Sequence, residues 1–107
     1  MVNKTIIKSV KNYILAVNKQ SAKVSFAVIF GSQVKGNANE WSDIDLLVVS
    51  PDFDIKIERS QINQLWRIAG RTDSRIEPIP CGEKQWQEDD SSAIIEIARR
   101  EGEIVRI

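Results

Sequence analysis

Apolar residues recur at three- and four-residue intervals near the start of the chain, at Ile7, Val10, Ile14 and Val17. This spacing places them on one side of a helix and predicts an amphipathic helix over residues 3–20. Most of the polar positions fall off this apolar face, among them Lys4, Lys8, Lys11 and Lys19. Such lysines could face a phosphate backbone, but a row of this kind is more commonly a solvated surface.

Two short apolar runs follow, and a polar segment separates them. Residues 24–30 are rich in valine, phenylalanine and isoleucine, and they predict a strand that is buried on both faces. Residues 43–50 predict a second strand, which Pro51 would end. Between the two strands, residues 33–36 favour a turn or a short helix, and residues 37–42 have the composition of a loop.

The pattern returns to a helical period over residues 55–69, and Gly70 is the expected end of this helix. Its predicted inward face consists of Ile62, Leu65, Trp66 and Ala69. Residues 75–80 predict a third strand, and its two prolines favour a position at or near the edge of a sheet.

The last third of the chain predicts shorter elements. Residues 83–90 suggest a helical turn. A final helix should begin after Ser91 or Ser92 and run through Arg100, with Ile94, Ile95 and Ala98 facing inward. The closing apolar residues, Ile104, Val105 and Ile107, predict a last short strand.

The composition predicts one soluble domain over residues 1–107, with 42% hydrophobic and 28% charged residues. Fifteen basic residues balance fifteen acidic ones, so the net charge gives no sign of direct nucleic-acid binding. A single cysteine, Cys81, cannot form an internal disulfide, and no apolar run approaches the length of a membrane helix. We therefore expect a cytoplasmic protein with no membrane association.

The sequence contains no histidine, which excludes a Ser-His-Asp triad, a Cys-His pair and a histidine-ligated zinc site. Ser32 is not expected to be a nucleophile, because no obvious base could activate it. If the protein is an enzyme, its chemistry should therefore use carboxylates together with a hard metal ion such as magnesium.

Asp43 and Asp45 are two residues apart on a predicted strand, so their side chains should leave the same face. Their Cα atoms would lie roughly 6–7 Å apart, which allows both carboxylates to reach one cation or a pair of cations. Glu77 on the next strand could supply a third carboxylate and a base for an acceptor hydroxyl. The alternative is that all three side chains are simply solvated at a strand mouth or a sheet edge.

Gly31 and Ser32 form a turn whose backbone can approach a ligand closely, with N–H groups and a hydroxyl for phosphate oxygens. Lys35 could neutralise part of a polyphosphate, although an ordinary surface lysine is the simpler interpretation. Trp41, beside the aspartates, could shield the site or stack on a base, and a packing role is the simpler expectation.

Together these residues resemble the DNA polymerase beta nucleotidyltransferase superfamily, and most closely its minimal nucleotidyltransferases (MNT proteins). The hallmark of that family is Gly-Ser, ten residues, then Asp-x-Asp, and here it reads Gly31-Ser32 followed by Asp43-Ile44-Asp45. Glu77, within Arg-Ile-Glu-Pro-Ile-Pro, falls where the family places its third acidic residue. Many members carry arginine shortly after the glycine, whereas this chain has Gln33 and Lys35 in that segment.

The resemblance implies an α+β nucleotidyltransferase fold, in which helices flank a mixed β-sheet mainly on one face. It implies that Gly31, Ser32 and Lys35 contact the nucleotide phosphates. Asp43, Asp45 and Glu77 would bind two Mg²⁺ ions and carry out transfer of a nucleoside monophosphate, with ATP as the expected substrate.

Many minimal nucleotidyltransferases are antitoxins paired with HEPN-domain toxins, so the resemblance implies a HEPN partner whose hydroxyl, for example that of a tyrosine, accepts AMP. Because larger superfamily enzymes add helical domains that hold the base and the acceptor, we expect the partner to complete the pocket. Two other functions stay open, namely a non-catalytic module of the same fold and an enzyme that modifies small molecules such as aminoglycosides. The sequence also leaves open whether the chain forms a homo-oligomer.

Overall fold

A computed structural model describes residues 2–107 of the chain. The helices and strands follow one another in this order: α1 (Lys4–Gln20), β1 (Phe26–Phe30), α2 (Ser32–Lys35), β2 (Ile44–Ser50), a 3-10 turn (Pro51–Phe53), α3 (Arg59–Thr72), β3 (Ile76–Gly82), α4 (Glu83–Glu88), α5 (Ala93–Glu101) and β4 (Glu103–Val105). The helix at the N-terminus, both buried strands, the helical turn after residue 83 and the final helix are thus confirmed.

The strands form one mixed sheet in the order β3-β2-β1-β4. The central pair β1–β2 and the pair β1–β4 are antiparallel, whereas β2 and β3 are parallel. β3 therefore lies at an edge, as its prolines predict, because a proline lacks the N–H that a second neighbouring strand would need. The parallel register matters for function, since it places the N-terminal ends of β2 and β3 side by side.

Two apolar layers cover the sheet. The larger core lies between the sheet and the long helices α1 and α3, and it includes Ile29, Ile44 and Leu46. The smaller core, with Leu47 and Val49, lies under α5 on the opposite face. The predicted α+β class and mixed sheet are confirmed, with the two long helices on one face and the shorter α5 on the other.

Tyr13 joins the two long helices inside the larger core. It is fully buried, and its hydroxyl donates a hydrogen bond to the backbone carbonyl of Leu65 at 3.0 Å. Burial raises the pKa of the Tyr13 phenol above its ordinary value, because the charged form would lose its hydration. The hydroxyl therefore acts as a neutral donor that fixes α1 against α3.

The boundaries predicted for α3 are wrong at both ends. The helix begins at Arg59 instead of residue 55, after a capping box formed by Glu58 and Gln61. It also continues through Gly70 to Thr72, because the chain adopts an extended conformation only at Asp73. Gly70 lies within the helix, where it costs some stability but does not end the helix.

Several residues predicted to face inward are exposed instead. Trp66 is 47% exposed and Ile94 is 44% exposed, whereas Ile68 and Ile95 fill the corresponding core positions. On α1, Ile7 is only half-buried. The predicted last strand is present as β4 but is shorter than the predicted apolar run, because Ile107 lies beyond its end. On α1 and α3 another apolar residue, Ile6 or Ile68, is buried where Ile7 or Trp66 was predicted, whereas on α5 the predicted Ile95 and Ala98 are buried and only Ile94 is exposed.

Candidate active site

Three carboxylates converge at the end of the sheet where β2 and β3 begin. Asp45 lies opposite Glu77 in the parallel register and opposite Phe30 in the antiparallel one. Asp43 immediately precedes β2 and is exposed, two residues from Asp45. The side chain of Glu77 interacts with both aspartates through hydrogen-bonding contacts and through charge. The structure therefore brings together the three acidic residues that the sequence singles out.

Burial and neighbouring charge raise the pKa values of two carboxylates of the cluster, Asp45 and Glu77. Burial raises the pKa of Asp45, the negative charge of Asp43 raises it further, and a hydrogen bond from Glu77 opposes the shift. Burial also raises the pKa of Glu77, and the charges of both aspartates and its hydrogen bonds to them act in the same direction. Like charges that are held together in this way favour either a shared proton or a bound cation.

The cluster suits a hard divalent cation by the chemistry of its donors, which are all carboxylate oxygens. Within residues 2–107, however, no group of three or more aspartate, glutamate, cysteine or histidine side chains could hold a metal ion as the side chains stand. The strands fix the backbone positions of Asp45 and Glu77, so the adjustment required is a change of side-chain rotamers. The attraction of a divalent cation for the carboxylates, which would also relieve their mutual repulsion, would drive that change.

Gly31 lets the turn after β1 approach these carboxylates closely. Its φ is +76° with ψ −145°, a conformation that residues with a Cβ rarely adopt. A Cβ at this position would also collide with the Asp45 carboxylate. Ser32 follows as the first residue of α2. The predicted glycine-serine turn therefore lies directly against the acidic cluster.

Sequence analysis predicts no function for Gln33, which it names only as part of the turn. In the structure this residue connects the turn to the acidic strand. Its side chain is buried, and Nε2 donates hydrogen bonds to the carbonyl oxygens of Ser42 at 3.4 Å and Asp43 at 3.2 Å. The signal in the sequence is weak, because a glutamine in a polar segment is ordinarily exposed. Its burial depends on the antiparallel pairing of β1 with β2, which brings both ends of the loop together.

The loop between α2 and β2 is held by several hydrogen bonds. Ser42 Oγ accepts from the N–H of Asn39 at 3.0 Å, and Asn39 Oδ1 accepts from the N–H of Trp41 at 2.8 Å. Arg75 donates from Nη1 to the carbonyl of Glu40 at 3.2 Å. Asp73 holds the same guanidinium, through a contact of 2.7 Å to Nη2. The backbone before Asp43 is thus held both by hydrogen bonds within the loop and by the hydrogen bond from Arg75.

Two further predicted residues lie beside the site on exposed surface. Lys35 is exposed on the last turn of α2, before Gly36. Trp41 is 82% exposed, so the packing role expected for it is wrong. Both are near the acidic cluster along the chain, but over residues 2–107 the structure records no ion pair between Lys35 and a carboxylate.

A polar cleft of about 350 Å³ lies close to this site without containing any of its three carboxylates. Its lining comes from the start of α1, from α2, from the loop and from Arg75, and consists of Asn3, Thr5, Ile6, Gln33, Ala38, Asn39, Glu40 and Arg75. We place the chemistry at the carboxylates, because the cleft offers no comparable set of metal ligands or bases.

Comparison with known proteins identifies the class to which this fold and site belong. Residues 10–101 match the model of the nucleotidyltransferase domain family. The chain therefore belongs to the nucleotidyltransferase domain family, and the general activity of that family is nucleotidyl transfer. No curated protein gives a significant sequence match.

Solved structures share the fold. One is a candidate nucleotidyltransferase from Sulfolobus solfataricus determined at 1.40 Å, which is 17% identical, with a TM-score of 0.60 over 94% of this chain and 78% of that chain. Another is a toxin–antitoxin complex with AMP-PNP, which is 16% identical, with a TM-score of 0.61 over 92% of this chain and 70% of that chain. At these identities the likeness shows the fold alone. Within residues 2–107, no helix is long and apolar enough to span a membrane.

Proposed function

We propose that the protein transfers a nucleoside monophosphate, specifically AMP from ATP, to a hydroxyl group of a partner protein. The observation that carries the proposal is the pairing of Asp45 with Glu77 beside the Gly31 turn, in a chain of the nucleotidyltransferase domain family. The turn offers backbone N–H groups and the Ser32 hydroxyl to phosphate oxygens. Three carboxylates lie at the same end of the sheet, and after a change of side-chain rotamers they would hold the cations that accompany a triphosphate.

In this proposal Asp43, Asp45 and Glu77 hold Mg²⁺. Bound magnesium would neutralise the triphosphate and stabilise the negative charge that develops on the departing pyrophosphate. Gly31 and Ser32 bind and orient the phosphates, and Lys35 adds a positive charge at the rim of the site. Gln33 keeps the backbone before Asp43 in place relative to the turn.

The reaction forms a bond between the acceptor oxygen and the α-phosphorus and breaks the bond between the α-phosphorus and its bridging oxygen to the β-phosphate. The hydroxyl proton leaves to a carboxylate of the cluster, and pyrophosphate departs. Glu77 is the residue we assign as this base, because it lies opposite Asp45 on the neighbouring strand, next to the place where the proposed metal ions and the acceptor hydroxyl would meet. Most of the rate enhancement in such a transfer comes from positioning and from charge neutralisation.

We further propose that the acceptor belongs to a toxin and that the chain acts as its antitoxin. The toxin–antitoxin complex with AMP-PNP, whose fold this chain shares, supports this assignment. So does the resemblance to minimal nucleotidyltransferases, many of which are paired with HEPN-domain toxins.

The test is incubation of the protein with ATP labelled at the α-phosphate, magnesium and the candidate HEPN partner. We expect the label to appear on the partner with wild-type protein and not with Glu77→Gln. Label on neither protein, together with inhibition of the partner by wild type and by Glu77→Gln alike, would contradict the proposal. That result would instead identify a non-catalytic binding module.

A further inference from the structure

Charge is distributed very unevenly over this molecule, although its net charge is zero. Helices α1 and α3 contain four lysines and three arginines but no aspartate or glutamate. The other segments carry eight basic and fifteen acidic residues, a formal side-chain charge of −7 against +7 on the two helices. Net charge therefore conceals one strongly basic part of the surface.

The seven cations share one layer of the fold, and we call them the basic face. They are Lys4, Lys8, Lys11, Lys19, Arg59, Arg67 and Arg71. All seven are exposed. The structure, over residues 2–107, shows no ion pair that involves any of them. Their charge is thus available to a partner.

The two helices run side by side in opposite directions over the larger core. The pKa of Asp73, just after α3, is lowered mainly by its hydrogen bond from Arg75 and to a smaller extent by one from Ser9 near the start of α1. At the other end, Gln64 Nε2 donates to the carbonyl of Gln20 at 2.8 Å. Along α1 the lysines recur at intervals of four, three and eight residues, which keeps them on one side of the helix. From Lys4 to Lys19 the row is about 22 Å long.

We propose that the basic face binds the phosphate backbone of a nucleic acid. A row of lysines and arginines along a helix, without interspersed acidic residues, is the electrostatic footprint of such binding. Exposed amides, including those of Asn12, Asn18 and Asn63, lie on the same two helices and can donate to phosphate oxygens. The large exposed apolar side chains of the two helices are only Leu15 and Trp66, which favours a polyanion over an apolar protein surface.

The basic face and the acidic cluster lie on opposite faces of the sheet. Ile44 and Leu46 belong to the core beneath α1 and α3, whereas Asp45 alternates with them along β2 and so points to the other face. A bound nucleic acid would therefore be kept away from the carboxylates, which would repel its phosphates. The basic face would act as a docking surface, separate from the site of nucleotidyl transfer, and the proposal does not depend on that activity.

The test uses fluorescence anisotropy with two labelled probes, a 20-base single-stranded RNA and a 20-base-pair DNA duplex. The basic-face variant is Lys8→Gln/Lys11→Gln/Arg67→Gln/Arg71→Gln, since glutamine keeps the helix propensity of lysine and arginine. The matched control is Lys23→Gln/Lys56→Gln/Lys84→Gln/Arg100→Gln, which removes four exposed charges outside α1 and α3. Circular dichroism verifies that each variant is folded.

We expect wild-type protein to bind at least one probe at about 50 mM salt, with an affinity that falls steeply as salt increases. The basic-face variant should bind at least about tenfold more weakly, and its slope of log K against log salt for the duplex should be smaller by about 3. The control should stay within about twofold of wild type, because it leaves the contacting cations in place.

Three results would overturn the proposal. Wild type could fail to bind either probe at low salt, or the two variants could lose affinity equally. The third such result is that polyglutamate with the same total charge as the unlabelled nucleic acid displaces the probes at the same concentration as that nucleic acid does. That last result would indicate that the basic face binds an acidic protein segment.

Discussion

At the scale of single residues, the site depends on two residues that hold the turn after β1 against the acidic strand, Gly31 and Gln33. Gly31 combines a backbone conformation reserved for glycine with contact against the Asp45 carboxylate. Gln33 is a buried amide whose donors meet two backbone carbonyls. Neither residue needs to perform chemistry, yet both determine where the carboxylates stand relative to the turn that would receive the phosphates.

Gly31→Ala should therefore impair both stability and metal binding. The strained backbone conformation alone costs on the order of 1–3 kcal/mol, and the new methyl group would also displace the Asp45 side chain. The matched control is Gly36→Ala, because Gly36 also has a positive φ of +80° but has open space where a Cβ would lie. Urea denaturation should show a larger loss of stability for Gly31→Ala than for Gly36→Ala, and magnesium titration should show a larger loss of magnesium affinity. Equal losses in the two variants would mean that the contact with Asp45 has no consequence.

Gln33→Leu should lower the affinity for magnesium and ATP although Gln33 would touch neither. Leucine keeps most of the buried volume but leaves the carbonyls of Ser42 and Asp43 without a donor, which costs about 1–3 kcal/mol of stability. Gln64→Leu is the control, since it removes a similar side-chain to carbonyl hydrogen bond at a distant position on α3. Calorimetric titration should show weaker binding for Gln33→Leu and unchanged binding for Gln64→Leu. Unchanged binding in both would show that Gln33 serves the fold alone.

At the scale of elements, the parallel pairing of β2 with β3 creates the acidic cluster. The register puts Asp45 directly opposite Glu77, and the two carboxylates repel each other as soon as both are ionised. The folded-state pKa of each is raised, so the folded chain holds protons that the unfolded chain releases. The contribution of these two groups to stability without metal should consequently be fully present below their unfolded-state pKa values of about 4, and it should be lost as the pH rises through their raised folded-state pKa values.

Glu77→Gln should remove this repulsion. Without metal, the variant at pH 7 should be as stable as wild type or more stable, by less than about 1 kcal/mol because the groups are partly exposed. Its magnesium affinity should nevertheless fall, since one ligand is lost. Urea denaturation between pH 4 and pH 8 in the presence of EDTA measures the first effect, and magnesium titration measures the second. A clear loss of stability in the metal-free variant would contradict the assigned electrostatics.

Sequence patterns predict those parts of the molecule that local chemistry determines. The glycine-serine turn, the strand with two aspartates and the edge strand with prolines follow from residue types and spacing. The choice between Trp66 and Ile68 for the inward face of α3 does not follow from spacing, because both residues fit an apolar period. Only the packing of α3 against α1 and the sheet determines that Ile68 is the buried one. The burial of Gln33 likewise depends on the pairing of β1 with β2, which no local pattern encodes.

At the scale of the whole molecule, the sheet separates two surfaces of opposite charge. One face bears α1 and α3, whose own residues include seven cations and no aspartate or glutamate, and the acidic cluster opens on the other face. A net charge of zero describes neither surface, so composition alone could not predict this arrangement. This separation would allow one small chain to carry both the proposed anion-binding face and the proposed cation-binding site without mutual neutralisation.

The most direct test of the nucleotide site is isothermal titration of ATP into the protein with and without magnesium, for wild type and for Asp43→Asn/Asp45→Asn. We expect wild type to bind ATP only when magnesium is present, and we expect no binding by the double variant under either condition, although it remains folded by circular dichroism. Repeating the titration with the proposed HEPN partner present covers the case in which the partner completes the pocket. Binding of equal strength in wild type and the double variant, or no binding by wild type even with the partner present, would contradict the proposed nucleotide site.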